Sequence, residues 1–156
     1  MKIVAFGDIH GETLNLMRLA PVLETADIIV FIGDGADSLQ VMDAVACSKL
    51  LAVKGNCDFF CKLPNEIIKD GIFVTHGHDY GTKSGIGALV PAAKACSAKL
   101  CFFGHNHRRS VETRDGITFI NPGTLGHART NAPNSYAVVF VGEDGAVEVE
   151  HRSVIS

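Results

Sequence analysis

The first eleven residues of the chain, MKIVAFGDIHG, constrain its fold more than any other stretch. Residues 3–6 form a nearly continuous apolar run, which is typical of a strand buried on both faces in a sheet covered by helices. Asp8 and His10 follow directly after Gly7. Because residues two apart in an extended chain point the same way, this carboxylate and imidazole would face one site and could bind a metal ion. The pattern Asp-x-His is short, however, and alone it favours a helix-capping carboxylate beside a surface histidine.

The same unit recurs twice in the first half of the chain. Two further apolar runs, residues 27–32 and 49–53, are also followed by glycine and polar residues. Helical spacing of apolar residues between the runs predicts one helix over residues 13–25, kinked or split at Pro21, and a second over residues 37–47. In the second helix Leu39, Met42 and Val45 should face inward. Three strands with two intervening helices predict a parallel βαβαβ unit, which binds ligands at the carboxyl ends of its strands.

The second half of the chain has the pattern of hairpins. Asp-Gly pairs at positions 70, 115 and 144 lie between runs with strand character, which is a strong hairpin signal. The predicted strands are residues 66–69, 72–76, 100–103, 110–114, 117–121, 135–141 and 147–152. A helix within residues 84–97 should be interrupted by Pro91. The predicted fold class is therefore α/β, with α+β character in the second half: two packed mixed β-sheets flanked by helices in an αββα sandwich, formed by one domain over residues 1–156.

Composition narrows the class of protein. The hydrophobic fraction of 47% indicates a globular chain, and the net charge of −3 disfavours broad nucleic-acid binding through a basic face. Without a run of about 18 apolar residues or a signal-peptide pattern, we expect no membrane span and a cytoplasmic location. The cysteines are odd in number and form no CxxC pair, so we expect reduced thiols: Cys47, Cys57, Cys61, Cys96 and Cys101.

Seven polar residues share one position in the pattern, because each closely follows an apolar strand, most of them beside glycine. They are Asp8, His10, Asp34, Asn56, His76, His105 and His107. Any one of them is more often a loop residue than a ligand. Histidines and aspartates buried without partners would be costly, and packing does not easily explain all of them at one edge. Together they indicate a polar site.

This pattern resembles the calcineurin-like metallophosphoesterase superfamily over roughly residues 2–129. The resemblance rests on five blocks in order, Asp8-x-His10, Gly33-Asp34, Gly55-Asn56-x-Asp58, His76-Gly77-His78 and Gly104-His105-Asn106-His107. The short length, Cys57 and the segment Asn121-Pro122-Gly123 are most similar to the compact bacterial and archaeal phosphodiesterase branch of that superfamily.

The resemblance implies a site for two divalent metal ions. Asp8, His10 and His107 would hold one ion, Asn56, His76 and His105 the other, and Asp34 would bridge them with its two oxygens. Mixed nitrogen and oxygen ligands suit transition metals, so we expect manganese, with nickel, iron, zinc or cobalt as alternatives. The implied reaction is hydrolysis of a phosphate ester by in-line attack of a metal-activated water or hydroxide.

Besides Asn56, which is also a candidate catalytic residue, four further positions are candidate catalytic or substrate residues. The wider family usually has histidine where this chain has Cys57, and a thiol is a weak donor, so we expect poor protonation of the leaving group, although a packed thiol is an equal alternative. Asp58 would orient the loop or cap a turn. His78 would contact phosphate or lie exposed on a loop. Arg129 is a candidate substrate arginine.

The remaining polar residues carry weaker expectations. Asp37 matches a frequent family acid but would also serve as a helix cap. By resemblance Asn121 to Thr124 lie near the metals. His127 is open between a substrate contact and a solvated position, and His151 should have a surface role only.

Three functions remain open from the sequence. The first is a metal-dependent phosphodiesterase acting on a small phosphate ester. The second is a phosphomonoesterase or nucleotidase with the same site. The third is a non-catalytic interaction scaffold, since a eukaryotic retromer subunit resembles the compact branch. Exposed strands in the second half would allow a homodimer or homotetramer, and we expect neither a membrane nor a nucleic acid as partner.

Overall fold

The computed structural model describes residues 1–127 and 133–154. Ten strands and three α-helices are described within these ranges. The strands are β1 (Lys2–Phe6), β2 (Ile28–Phe31), β3 (Leu50–Ala52), β4 (Glu66–Lys69), β5 (Ile72–Thr75), β6 (Leu100–Phe102), β7 (Ser110–Arg114), β8 (Ile117–Asn121), β9 (Tyr136–Val141) and β10 (Val147–Arg152). The helices are α1 (Thr13–Glu24), α2 (Ala44–Ser48) and α3 (Leu89–Ala95).

The first sheet is built around β1. Its strand order is β10-β9-β1-β2-β3. Strands β1, β2 and β3 are parallel, as the apolar runs predict, while β9 and β10 return from the end of the chain and pair antiparallel along the other side of β1. The parallel strands place their carboxyl ends, and the polar residues that follow, along one edge.

The second sheet has the order β4-β5-β6-β8-β7. Its three central strands are parallel, and an antiparallel hairpin partner lies at each side. In both hairpin turns, Asp70-Gly71 and Asp115-Gly116, the two central residues have positive φ. This is the backbone of a type I′ turn, for which Asp-Gly is well suited, so the hairpin prediction is confirmed for a physical reason.

The two sheets pack face to face, with helices outside. One apolar cluster lies between the sheets and includes Ile3 and Ala5 of β1 together with Val74 and Phe102 of the second sheet. The alternate residues of β1, Val4 and Phe6, instead join a cluster with α1. A third cluster packs the second sheet against α3. The predicted αββα sandwich is therefore confirmed, and β1 is buried on both faces as its continuous apolar run indicates.

Three helix predictions are wrong in detail. Helix α1 runs through Pro21 as one element, so the alternative of a helix split there is wrong. Pro21 is exposed, so water can reach the carbonyl group that loses its intrahelical partner. Pro91 is the third residue of α3 and lies in the first turn, where a helical N–H has no intrahelical partner to lose.

Residues 37–47 do not form one helix. A 3₁₀ turn over Ala36–Val41 is followed by α2, because Met42 has an extended backbone and Asp43 caps the N-terminus of α2 by accepting the N–H of Ala46. Val45 is consequently 64% exposed rather than directed inward.

No described helix has the length and apolar character needed to cross a membrane.

Candidate metal centre

Five of the seven candidate ligands have a left-handed backbone. The φ angles are 46° for Asp8, 44° for His10, 61° for Asp34, 74° for His105 and 62° for His107. Each such residue costs about 1–2 kcal/mol outside glycine, and strain of this kind concentrates at functional sites because the surrounding structure has to impose it. The turns after β1, β2 and β6 therefore hold these side chains in positions that relaxed loops would not adopt.

A first cluster consists of Asp8, His10 and His107. Asp8 is fully buried, and its Oδ1 lies 3.6 Å from His10 Nε2 and 3.5 Å from His107 Nε2. The two Nε2 atoms are 3.2 Å apart. One carboxylate oxygen and two ring nitrogens thus converge on one small volume, as the three ligands of a metal ion do.

A second cluster consists of Asp34, His76 and His105, whose potential ligand atoms all lie within 4.8 Å of one another. His76 is fully buried, with its Nε2 3.2 Å from Asp34 Oδ2. Its Nδ1 lies 2.7 Å from the carbonyl oxygen of Ile32, to which it donates. That bond fixes the ring and leaves Nε2 to face the carboxylates, an arrangement common in histidines that bind metals.

Asp34 lies between the two clusters. Its Oδ2 is 3.2 Å from His76 Nε2 and 3.7 Å from His10 Nε2, while its Oδ1 accepts the N–H of Cys57 at 2.8 Å. Asp8 Oδ1 also lies within 3.9 Å of His76 Nε2. The two clusters therefore adjoin, with a carboxylate at their junction.

The donor atoms fit divalent transition metals. Asp8 Oδ1 is a buried atom without a hydrogen-bond partner among the described residues, a costly situation that a bound cation would relieve. Carboxylate oxygens and imidazole nitrogens in mixture suit manganese, iron, cobalt, nickel and zinc better than calcium.

The charges of the pocket shift its pKa values in opposite directions. Burial raises the pKa of the Asp34 carboxyl, but hydrogen bonding and charge from His76, with the Cys57 N–H and His10, lower it well below its usual range. Burial lowers the pKa of His76, yet the two carboxylates raise it overall. Burial and the neighbouring His76 lower the pKa of His105, which favours the neutral ring that a metal requires.

Cys57 and Asn56 lie on the turn after β3, beside the clusters. Cys57 Sγ is within 4.8 Å of potential ligand atoms of His10 and Asp34. Burial and then the Asp34 charge raise the pKa of its thiol, so the sulfur is protonated at neutral pH. Asn56 is exposed, and its side-chain amide lies 3.6 Å from Cys57 Sγ.

Asp58 joins the turns after β2 and β3. Its two carboxylate oxygens accept N–H bonds of 2.8–2.9 Å from Asp34, Gly35, Ala36 and Gly55. Of the two roles weighed from the sequence, the geometry favours orientation of the loops. Glycine at position 55 is required as well, because a Cβ there would lie 2.0 Å from Asp34 Oδ1.

The turns of the second sheet depend on Thr82 and Asn106, to which sequence reasoning gave no role of their own. Thr82 is fully buried, and its hydroxyl lies 3.2 Å from the Gly77 carbonyl and 3.1 Å from that of Gly104. Asn106, between two candidate ligands, donates to the carbonyl of Thr82 and accepts from the side chain of Asn121. Only the position of Asn106 between His105 and His107 could have indicated its role.

The other candidates are placed as follows. The ring of His78 lies beside the second cluster, with its centroid 5.5 Å from that of His76 and 6.1 Å from that of His105. Thr124 donates to the carbonyl of Asp8 at 2.7 Å, so the segment that contains it does reach the site. Arg129 lies outside the described residues.

Three expectations for outlying residues are revised or narrowed. Asp37 is exposed and is not a cap, since Gly35 holds that position. The side chain of His127 is 88% exposed and pairs with Glu12. The surface role expected for His151 is wrong, because the residue is half-buried and its Nε2 bonds to the carbonyl of Asn121 at 2.8 Å.

Known proteins resemble this chain in sequence. Residues 1–144 match the calcineurin-like phosphoesterase superfamily domain. The probable metallophosphoesterase YsnB of Bacillus subtilis is 31% identical over 150 residues, which cover 94% of this chain and 88% of that protein. Phosphodiesterase YfcE of Escherichia coli K12 is 24% identical over 184 aligned positions, which cover 100% and 96% of the two chains.

Solved structures share the fold. A conserved protein of Streptococcus pneumoniae TIGR4, described as a predicted phosphoesterase, has a TM-score of 0.83 and 26% identity, covering 98% of this chain and 89% of that one. Vps29 of Entamoeba histolytica, complexed with zinc, has a TM-score of 0.71 and 20% identity, covering 99% and 100%.

Proposed function

Because the chain belongs to the calcineurin-like phosphoesterase superfamily, we propose that it is a di-metal-dependent phosphodiesterase that hydrolyses a small phosphate ester. The observation that carries the proposal is the pair of ligand clusters that meet at Asp34. A phosphodiesterase is favoured over a phosphomonoesterase because a relative that aligns with the whole chain bears that name.

The proposed ligand sets follow the two clusters. Asp8, His10 and His107 form one set, and His76 and His105, together with Asn56, form the other, with Asp34 shared. Ions bound there would supply positive charge, which offsets the negative charge of the phosphoryl oxygens and acidifies water. We expect manganese, with nickel, iron, zinc and cobalt as alternatives.

The chain itself supplies orientation and charge balance. The bond from His76 to Ile32 keeps Nε2 directed at the carboxylates, and the bond from Cys57 N–H to Asp34 keeps Oδ2 free for the histidines. Two buried carboxylates also keep the pocket from becoming too cationic to bind its ions. His78, at the margin of the second cluster, is proposed to contact the phosphate.

Cys57 is proposed to face the leaving group, since its sulfur lies beside both clusters. A protonated thiol is a weak donor, so esters with acidic leaving groups should react best. Cys57→His, assayed on aryl and alkyl phosphodiesters, should raise the relative rate on the alkyl ester. An unchanged ratio would show that the thiol only fills space.

The direct test combines metal content with hydrolysis. Mass spectrometry of the purified protein should find about two transition-metal ions per chain, and reloaded protein should hydrolyse bis(p-nitrophenyl) phosphate faster than p-nitrophenyl phosphate. Asp34→Asn should lower kcat/KM by ~100-fold or more and weaken metal binding in a titration. Asp115→Asn, on a hairpin turn of the second sheet, is the matched control and should change neither.

Two other outcomes would redirect the proposal. Faster hydrolysis of the monoester would indicate the phosphomonoesterase or nucleotidase. Protein that takes up no transition metal and hydrolyses neither ester would indicate a non-catalytic scaffold, the alternative suggested by the structural likeness to Vps29. Competent side chains at all seven ligand positions support catalysis.

The remaining expectations are proposals of the same kind. A cytoplasmic location accords with the free thiols of all five cysteines. A homodimer or homotetramer, and one domain over residues 1–156, can be tested by sedimentation and limited proteolysis.

A further inference from the structure

Two phenylalanine side chains are exposed beside the candidate metal centre. Phe59 is 79% exposed and Phe60 is fully exposed. Leu63, only a few residues later, packs against the apolar cluster around α1. Burial of one or both rings in the same way would have been favourable. Their exposure beside the metal centre therefore carries a cost in free energy.

The loop holds these rings in a defined position. Asp58, directly before them, accepts four backbone N–H groups from the turns that carry Asp34 and Gly55. Phe60 itself has a φ of 59°, which is uncommon for a bulky residue and is maintained only where the surrounding structure imposes it. Exposure of the rings is therefore built into the turn that also places Cys57.

The rings line a groove that adjoins the metal centre at Cys57. The groove has a volume of about 460 Å³, within the usual range for small-molecule sites, and Ala36, Asp37 and Cys57 also line it. Cys57 connects the two features, because its sulfur lies within 4.8 Å of potential ligand atoms of His10 and Asp34. A group held in this groove would be next to a phosphoryl group held at the clusters.

We infer that this groove binds a planar aromatic group on the leaving-group side of the phosphoester, an inference that rests on the proposed function. An aromatic leaving group can stack on the rings of Phe59 and Phe60, whereas an alkyl leaving group cannot. The Asp37 side chain has no hydrogen-bond partner among the described residues and places negative charge at the groove, which disfavours a second phosphate there. In the reaction, water oxygen bonds to phosphorus, the bond from phosphorus to the leaving oxygen breaks, and that oxygen takes up the proton that water loses.

The kinetic test uses two diesters whose leaving groups have similar acidity but different shape. These are methyl phenyl phosphate and methyl hexafluoroisopropyl phosphate. The double variant Phe59→Ala/Phe60→Ala should lower kcat/KM for the phenyl ester by about tenfold and leave the fluoroalkyl ester within about twofold. Ile68→Ala/Val111→Ala, which removes exposed apolar side chains from the second sheet, is the control and should leave the ratio unchanged. Equal effects on both esters, or none, would overturn the inference.

Binding separates this inference from the proposed function. Calorimetric titration of metal-loaded protein should show phenyl phosphate or thymidine 5′-monophosphate binding about tenfold more tightly than methyl phosphate, with the difference lost in the Phe59→Ala/Phe60→Ala variant. Preference for phenyl phosphate assigns an aryl group and preference for the nucleotide assigns a nucleobase. If the wild type shows the preference but hydrolyses no ester, the groove stands and the hydrolase proposal fails.

A second copy of the chain is the competing occupant of the groove. If the double variant converts a dimer into a monomer in sedimentation, while affinity for all three phosphates stays equal and unchanged, the rings form a contact between copies and the inference is wrong.

Discussion

The two sheets contribute different chemistry to the candidate metal centre. Turns after the first sheet's parallel strands supply the two buried carboxylates, Asp8 and Asp34, and turns after the second sheet's strands supply His76, His105 and His107. His10 is the exception, since it follows β1. Each half alone would be unfavourable, because buried like charges repel and unpartnered imidazoles are costly. The centre is therefore a property of the packed sandwich and cannot exist in either sheet alone.

The two halves are also held in different ways. On the first sheet a single carboxylate, that of Asp58, accepts hydrogen bonds from the backbone N–H groups of two turns. On the second sheet neutral side chains do this work, with the Thr82 hydroxyl reaching two carbonyls and Asn106 linking Thr82 to Asn121. Hydrogen bonds to an ionised group are roughly twice as strong as neutral ones. Loss of Asp58 should therefore destabilise the first-sheet turns more than loss of the Thr82 hydroxyl destabilises those of the second sheet.

Removal of Asp58 should have the largest effect. Asp58→Ala leaves four N–H groups without their acceptor, at a cost of about 3 kcal/mol or more in the free energy of unfolding. Because three of these groups belong to the turn of Asp34, affinity for metal should fall as well. Chemical denaturation and a metal titration measure the two effects. Asp37→Ala, an exposed acid in the neighbouring turn, should change stability by less than about 0.5 kcal/mol. Equal effects of the two substitutions would contradict the role assigned to Asp58.

Removal of the Thr82 hydroxyl should have an intermediate effect. Thr82→Val keeps the buried shape but removes the single hydroxyl proton that the carbonyls of Gly77 and Gly104 share, which should cost about 1–2 kcal/mol. Thr113→Val, on exposed strand β7, is the matched control and should be within about 0.5 kcal/mol of the wild type. If Thr82→Val were as damaging as Asp58→Ala, the proposed difference between charged and neutral fixing would be wrong.

Much of the fold could be predicted because its signals are local. The two hairpins of the second sheet follow from Asp-Gly pairs that suit type I′ turns, and β4, β7, β8 and β10 begin and end where the runs with strand character predict. The continuous apolar run of β1 correctly indicated burial on both faces. The helix expected over residues 37–47 was wrong because a competing local signal prevailed, namely Asp43 as the cap of a new helix.

The residues that fix the centre could not be predicted in the same way. Asp58 lies up to 24 positions from the residues that donate to it, and Thr82 lies 22 positions from Gly104. No local sequence pattern predicts hydrogen bonds over such separations. Glycines beside the ligands were visible, but the left-handed backbone of the ligands themselves follows only from packing between turns. Sequence therefore indicated which side chains have the right chemistry, whereas the means of holding them is tertiary.

His151 offers the finest test of how the two sheets are joined. It lies on β10 of the first sheet and bonds to the carbonyl of Asn121 at the end of β8 in the second. Burial, and then the charge of Arg109, lower its pKa despite the bond to Asn121. Because the folded pKa is below the unfolded one, the unfolded state binds more protons as pH falls below about 6.5, and stability is lost in that direction.

His151→Gln retains a donor but cannot titrate, so its melting temperature should fall by roughly 1 °C less than that of the wild type between pH 7.5 and pH 5.5. His127→Gln, whose side chain is 88% exposed, should keep the wild-type dependence. Thermal scans of the metal-free proteins at both pH values decide the matter, because the other histidines contribute equally to all three. If His151→Gln and His127→Gln have the same pH dependence, the bond between β10 and β8 does not couple protonation to the packing of the sheets.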